Sequence, residues 1–410
     1  MKQVKELSKE KITLLIFYSL AACLSVFVQV MTALVELPFD DTFALGSQQL
    51  AFLTSLFFFF LAVSLIPVGI LIDKFGPKII QTALLFIGGI GILIFALAHE
   101  YYLLVIGRIL MGIGMSSGFV TGLKAVKLWF SEKRFKTINM TLVAATSFGA
   151  LLASYPLEIC LEHIHWRPLL IFIAVLFFVL ACIFVLFVPI YKHQDKETVR
   201  PIGEILSNKN YWKLLVLSAL CFGTYMAYQS LWISKWLQDG LGLPQEKISI
   251  YLFIISIAAV LGIISYKAFV FFGQKLRLNY VSMVGFYMIF YIGFQIALIY
   301  KPLAYSYIPW FFFGFFVQAI FLSLLEFAKI FSANQYGKVI TFFLFFIYIA
   351  AFIIQYLVGA TINLWPMSSG GNFGVRSFHS AFWIIAIINL AALVWFFMME
   401  KGEENHIVED

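Results

Sequence analysis

Residues 69–78 read Gly-Ile-Leu-Ile-Asp-Lys-Phe-Gly-Pro-Lys, a short charged segment between two long apolar runs. The run before it, residues 47–72, and the run after it, residues 79–98, are each long enough to cross a membrane, because a spanning helix needs about 20 apolar residues. Only a short connection remains between them. The stretch therefore predicts a tight hairpin of two transmembrane helices.

The whole chain has the composition of a membrane protein. Hydrophobic residues make up 62% of its 410 residues and charged residues only 12%, whereas about a quarter charged is usual in soluble domains. Twelve apolar runs follow one another, each too long for a barrel strand. The first, residues 12–35, is also too long for a signal-peptide core, so we expect it to remain as a span. The sequence predicts an all-α polytopic membrane protein with twelve transmembrane helices.

The net charge of +7 is explained by its distribution. If both termini are cytoplasmic, most Lys and Arg residues fall in or beside cytoplasmic loops, as the positive-inside rule requires. This excess needs no nucleic-acid partner. We therefore expect both termini on the cytoplasmic side of a bacterial inner membrane. The four cysteines lie inside apolar runs without metal-type spacing, which predicts buried free thiols and no metal site.

Three motifs resemble those of the major facilitator superfamily. The loop at 69–78 follows that family's signature between spans 2 and 3, although Pro77 and Gln81 depart from the usual pattern. Gly107-Arg108 in span 4 and Trp166-Arg167 at the start of span 6 are similar as well. The resemblance implies two six-helix bundles, residues 1–190 and 212–400, with a cytoplasmic linker at 191–211 and a cytoplasmic tail at 401–410.

Asp73 is the candidate centre of a gate. Its carboxylate lies at the end of span 2, at the negative pole of the helix dipole, so it should have a positive partner. We expect Arg134, Lys127 or the N-terminus of span 11 to supply it. The resemblance implies a latch that closes the cytoplasmic side. Its candidate residues are Gly69, Asp73, Lys74, Gly76, Lys78, Lys127 and Arg134. The alternative is a hydrophilic loop that sets topology without switching.

Four charged residues are candidates for proton coupling. Arg108 lies about two turns inside span 4, where an uncompensated guanidinium costs at least about 2.5 kcal/mol on insertion scales, so we expect Glu36 or Glu158 as its partner. Glu326 in span 10 could bind and release a proton during the cycle. Alternatively, Glu326 pairs with Lys329 one turn away. Lys124 and Lys267, close to the cytoplasmic boundary, are interpreted as snorkelling lysines.

Amide and aromatic side chains are candidates to bind a substrate in a central cavity. They are Gln29, Tyr155, Tyr225, Gln229, Trp232, Gln318, Tyr348 and Gln355. The resemblance places spans 1, 4, 7 and 10 around that cavity. Packing between helices is the alternative for each residue. Isolated hydroxyls such as Ser116 are interpreted as ordinary helix-contact residues.

No motif for ATP binding, metal hydrolysis or nucleophilic catalysis occurs, so we expect neither an enzyme nor a cofactor. The resemblance implies a monomeric secondary transporter that works by alternating access. We expect proton-coupled uptake of a small polar or anionic solute. A proton-driven efflux antiporter and a non-transporting membrane receptor or scaffold are the alternatives.

Overall fold

The structure is a computed structural model that describes residues 9–35, 43, 45–116, 118–130, 132–190, 207–331, 333–366 and 373–407. Every regular element in these ranges is a helix. Twelve of the helices are long and apolar enough to cross a membrane. This confirms the predicted all-α fold of twelve transmembrane helices.

The first six spans are built from eight helices, because spans 4 and 5 are each interrupted once. Their bounds are Lys9–Val35, Ser47–Phe75, Pro77–Ala96, Tyr101–Met115 with Val120–Trp129, Glu132–Leu152 with Tyr155–His163, and Trp166–Phe187. Span 1 starts at one end of the bundle, here called the terminal face because span 12 also ends there. The opposite end is the far face.

The second six spans contain more irregular helix. Span 7 is Lys209–Ala227, a π turn at Tyr228–Trp232, Ile233–Lys235 and a second π turn at Trp236–Gly240. Span 10 is Tyr307–Phe316, a 3₁₀ turn at Val317–Phe321, and Leu322–Ile330. The others are Gln245–Ile264, Tyr280–Ala297, Ala333–Ile362 and Val375–Ile407, with short connecting helices Tyr266–Lys275 and Lys301–Ala304.

The hairpin at residues 69–78 is as tight as predicted. Span 2 ends at Phe75 and span 3 begins at Pro77, so Gly76 alone separates them. Gly76 has a φ of 82°, which residues with a Cβ rarely adopt, and its amide donates a 2.9 Å hydrogen bond to the carbonyl of Ile72. Pro77 suits the first position of a helix because its φ is already helical. The departure from the family pattern at Pro77 therefore starts span 3.

Spans 3 and 4 touch through glycines. A Cβ on Gly114 would collide with the backbone of Gly88 in span 3, and one on Gly91 would lie 2.7 Å from the amide nitrogen of Met111. Such small residues let transmembrane helices approach closely. The approach fixes span 4 against the body of the first bundle and positions Arg108 and the cavity described below.

Two six-helix bundles meet along three pairs of spans. Span 2 packs against span 11, span 1 against span 7, and span 5 against span 8. Residues 191–206 of the predicted linker lie outside the described residues, so the bundle boundaries stay a prediction. The expectation of four buried thiols is wrong for two of them, because Cys160 and Cys182 are exposed on the bundle surface.

Candidate functional site

A small cavity lies midway along spans 1, 4 and 11, where the two bundles meet. Its volume is about 30 Å³, which holds about two waters. The residues that line it are Ala22, Ser25, Val26, Gln29, Leu61, Leu65, Met115, Ser116, Phe119, Val120, Thr146, Leu344 and Tyr348. Two predicted binding residues, Gln29 and Tyr348, are among them.

The cavity is placed by the interruption in span 4. The helix stops at Met115 and resumes at Val120, and the chain between them faces span 1. A Cβ on Gly118 would collide with the hydroxyl of Ser25, so glycine allows this close approach. Ser116 lines the cavity and is more than the helix-contact residue that the sequence suggested. Thr146 is a further lining residue that sequence reasoning missed.

Arg108 is buried above the cavity, toward the far face. The residue is only 1% exposed, its Nη1 donates a 2.9 Å hydrogen bond to Thr32 Oγ1, and its guanidinium carbon lies 4.6 Å from the ring centre of Phe95. Eight residues, or about 12 Å of helix, separate it from Ser116. The guanidinium is therefore not part of the cavity wall.

The expected ion pair between Arg108 and Glu158 is not formed. Glu158 is buried in span 5 and accepts a 2.9 Å hydrogen bond from Gln245 Nε2 of span 8. Its carboxylate thus joins the two bundles near the far face and is bound to Gln245 instead of Arg108. The other expected partner, Glu36, lies outside the described residues.

Two further hydrogen bonds join the bundles between mid-depth and the far face. Gln355 Nε2 donates to Thr54 Oγ1 at 2.8 Å, and Asn363 Nδ2 donates to Gln48 Oε1 at 3.4 Å. In the terminal half, no hydrogen bond or ion pair that joins two described residues crosses from one bundle to the other. The far face is closed.

Several predicted binding residues take part in this closed region and do not line the cavity. The indole of Trp232 donates to the carbonyl of Gln355 at 3.2 Å, and Gln229 Nε2 donates to Ser256 Oγ at 3.2 Å. Gln355 itself is fully buried in its bond to Thr54. In this arrangement the three side chains hold helices together.

The remaining predicted binding residues do not line the cavity. Tyr155 faces Phe253 of the second bundle at 6.2 Å between ring centres, and Tyr225 packs on Phe313 at 5.9 Å. Gln318 Nε2 lies 3.5 Å from the carbonyl of Gly314 one turn earlier. Their role as substrate ligands stays a prediction.

Asp73 has a positive partner, but a different one from those expected. Its Oδ1 lies 2.7 Å from Nζ of Lys124 in span 4. Lys127 does not form this pair, and the side chain of Arg134 lies outside the described residues. Lys124 sits one helical turn before Lys127, where its long side chain reaches the end of span 2. Lys124, interpreted from the sequence as a snorkelling lysine, thus directs its ammonium to a carboxylate at the end of span 2.

The other residues of the predicted gate hold the hairpin in place. Lys78 Nζ donates a 2.9 Å hydrogen bond to the carbonyl of Val185, and Lys74 lies 5.1 Å from the ring centre of Phe75. Gly69 faces span 11, where a Cβ would lie 3.9 Å from the methyl carbon of Thr341. This is a contact between the bundles near the terminal face, and it is apolar.

Glu326 pairs with Lys329 one turn away, which was the alternative to its binding and releasing a proton. Its Oε2 lies 3.5 Å from Nζ of Lys329, and that ammonium also lies 4.0 Å from the ring centre of Tyr280. The glutamate side chain is 16% exposed and the lysine side chain 59% exposed. Span 10 therefore presents a half-shielded ion pair near the terminal face.

Known proteins resemble this arrangement at three levels. A model of the Major Facilitator Superfamily matches residues 15–354. The nitrate/nitrite transporter NrtP of Nostoc punctiforme is 29% identical over 218 residues, which are 49% of this chain and 41% of that protein. The probable nitrate/nitrite antiporter NarK1 of Thermus thermophilus is 25% identical over 256 residues, which are 59% of this chain and 57% of that protein.

Solved structures share the fold. A bacterial homologue of the human lysosomal transporter Spinster, in an inward-facing and unoccupied conformation, has a TM-score of 0.78 at 14% identity, over 97% of this chain and 98% of that one. The matches to the two curated relatives span less than two thirds of either relative's length. The family model, in contrast, covers most of the described helices. The chain belongs to the Major Facilitator Superfamily.

Proposed function

We propose that the protein is a secondary transporter that carries a small polar or anionic solute by alternating access. The observation that carries this proposal is the one-sided closure of the bundles. Three hydrogen bonds join them from mid-depth to the far face, and the cavity lies on the terminal side of this seal. The bundles are thus held together by polar side chains on the far side of the cavity.

The charge distribution supports an orientation with the terminal face in the cytoplasm. The basic loops lie on that face, as the positive-inside rule requires. The seal would then close the outer side, and the cavity would be reached from inside. We propose residues 1–190 and 212–400 as the two moving bundles, with the gate at the hairpin of spans 2 and 3.

Proton-coupled uptake is the mode we favour for this transporter. Glu158 is a buried carboxylate on a bond between the bundles, and Glu326 is a half-shielded one near the terminal face. Protonation of Glu158 would weaken its bond to Gln245, which gives a proton a means to act on the conformation. The second candidate is an antiporter, which the name of the Thermus thermophilus relative favours.

The relatives' names make nitrate and nitrite the first anions to test. A receptor or scaffold without transport is disfavoured by the buried Arg108, since a guanidinium in an inert bundle is costly to keep. The proposal leaves the charge of the substrate open between polar and anionic.

The test has two parts: cysteine labelling reports the movement of the bundles, and proteoliposomes report the flux of solutes. Val26 lines the cavity, so Val26→Cys in a chain without the four native cysteines reports access to it. We expect an impermeant maleimide to label this cysteine from the cytoplasmic side, and from the outer side in a smaller fraction of molecules. Labelling from one side only, under all substrates and gradients, contradicts alternating access.

The flux arm uses proteoliposomes with and without an imposed pH gradient. Labelled nitrate, nitrite and a panel of small polar solutes would be exchanged against the same unlabelled compound. Uptake that a gradient increases supports proton symport, and release that it increases supports antiport. A protein that changes access but is indifferent to every gradient is a uniporter, and one that does neither is a scaffold.

A further inference from the structure

The hydroxyl groups in the cavity wall donate hydrogen bonds to backbone carbonyls of their own helices. Ser25 Oγ donates to the carbonyl of Ala21 at 2.9 Å, Ser116 Oγ to that of Ile113 at 2.6 Å, and Thr146 Oγ1 to that of Val143 at 2.6 Å. A hydroxyl that donates in this way presents only its lone pairs to other neighbours. Three sides of the cavity therefore offer acceptors.

Two side chains in the cavity wall are available as hydrogen-bond donors. Gln29 of span 1 is 7% exposed and Tyr348 of span 11 is also largely enclosed, and both line the cavity. Within the described parts of the chain, neither the amide of Gln29 nor the hydroxyl of Tyr348 has a hydrogen-bond partner. An amide and a phenol can both donate and accept. These two groups come from different bundles, so one solute that bonds to both would link the bundles.

The interrupted span 4 adds a dipole to the same place. The helix Tyr101–Met115 ends at the cavity with its negative pole, and the helix Val120–Trp129 begins there with its positive pole. The two partial charges favour opposite ends of a dipolar solute. A net anion would gain from one pole and lose to the other.

None of the described residues that line the cavity carries a formal charge. Arg108 lies about 12 Å of helix away and is occupied by Thr32 and Phe95. An anion in the cavity would lose its hydration without touching a cation, and three hydroxyl oxygens would face it with lone pairs. A neutral solute with both donors and acceptors meets neither obstacle.

We propose that this cavity selects small uncharged solutes that carry both a carbonyl-type acceptor and N–H or O–H donors, with Gln29 and Tyr348 as the specificity-determining residues. The proposal rests on the proposed transport function and decides the charge of the substrate, which that function leaves open. Small amides and hydroxyamides are the chemical class that fits. The ligand's carbonyl accepts from Gln29 and Tyr348, and its N–H groups donate to the hydroxyl oxygens of Ser25, Ser116 and Thr146.

The test compares acetamide with acetate, two molecules of nearly the same shape that differ in charge and in N–H donors. Saturation-transfer NMR on the detergent-solubilised full chain detects the methyl group of each. We expect acetamide to give a signal several times stronger than acetate. Tyr348→Phe and Gln29→Leu should each weaken acetamide binding by about fivefold, the usual effect of one neutral hydrogen bond.

Tyr356→Phe is the matched control, because Tyr356 lies two turns further along span 11 with its side chain exposed. It should leave both signals unchanged. A stronger signal from acetate, or a signal from neither probe, overturns the proposal. So does acetamide binding that survives both cavity variants. Because the wild-type comparison needs no variant, misfolding of a variant cannot hide the answer. Transport itself is judged separately by the labelling of Val26→Cys.

Discussion

Gln355 Nε2 of span 11 donates a 2.8 Å hydrogen bond to Thr54 Oγ1 of span 2, in a region where both side chains are buried. The bond crosses between the bundles seven residues from the far end of each helix. Gln355 also receives the indole N–H of Trp232 on its backbone carbonyl. One residue thus connects spans 2, 7 and 11.

From this bond we predict that a substitution at Thr54 weakens the closure of the far face. Thr54→Val should leave the Gln355 amide buried without its acceptor, which costs about 1–3 kcal/mol. Because the bond exists only when the far face is closed, the substitution destabilises the closed state alone. We therefore expect labelling of Val26→Cys from the far side to increase about tenfold. The double variant Thr54→Val/Gln355→Leu removes both polar groups and should return labelling toward the parent value. Equal labelling of the parent and the single variant would show that the bond does not hold the seal.

The ion pair between Asp73 and Lys124 predicts an opposite shift. In the described state Lys124 occupies the carboxylate of Asp73 within the first bundle. Lys124→Gln should free Asp73 to contact the second bundle, and so reduce labelling of Val26→Cys from the terminal face. The change should be a few-fold at most, because partly exposed pairs contribute less than about 1 kcal/mol.

The control for that variant is Lys267→Gln, which removes another lysine near the terminal boundary that is exposed. It should not change the labelling. Asp73→Asn combined with Lys124→Gln should reverse the effect of Lys124→Gln, because the freed carboxylate is then absent. If the double variant behaves like Lys124→Gln alone, Asp73 is not the group that closes the terminal face.

Arg108 predicts a stability effect at Thr32. Thr32→Val removes the hydroxyl that receives Nη1 and leaves a buried guanidinium with one hydrogen bond fewer. Loss of a hydrogen bond to a charged group costs about 1.5–3 kcal/mol, so the thermal midpoint in detergent should fall by several degrees. Thr361→Val is the control, since that hydroxyl bonds only to Leu357 in its own helix. A similar fall in both variants would remove the special role of Thr32.

The hairpin predicts a backbone effect at Gly76. Gly76→Ala forces a residue with a Cβ to a φ of 82° and a ψ of 160°, a region that is essentially restricted to glycine, which costs about 1–3 kcal/mol. Because a Cβ there would touch nothing within 4 Å, the loss should come from the backbone alone. Gly293→Ala, in open space on a helix, should be neutral or slightly stabilising. Thermal unfolding of both variants separates the two cases; a neutral Gly76→Ala contradicts the prediction.

The fold could be predicted from the sequence because the thickness of the membrane sets the length of a spanning helix at about 20 apolar residues, and such runs are visible in the sequence. Gly76 and the charged residues around it showed where one helix stops and the next begins. The partner of Asp73 could not be predicted, because Lys124 and Lys127 lie only one helical turn apart in span 4. Which of them reaches span 2 depends on how spans 2 and 4 pack.

The cavity was harder to predict than the fold. Gln29 and Tyr348 were identified as polar groups at mid-depth, but depth does not tell which side of a helix faces the other bundle. Gln355 has the same chemistry and points into a helix contact instead. The interruption of span 4 has no proline to mark it, and its serines and glycines are also common in uninterrupted transmembrane helices. Ser116 therefore looked like an ordinary packing residue, and Thr146 was missed.

Span 7 contains two π turns, Tyr228–Trp232 and Trp236–Gly240, and each holds one residue more than an α turn would. If the first reverted to α-helix, every side chain beyond it would rotate by about 100° around the helix axis. Trp236, whose indole now donates to the carbonyl of Leu298, would swing out of that bond. A change between π and α geometry in span 7 would therefore rotate its far half about the helix axis, while the half near the terminal face kept its position.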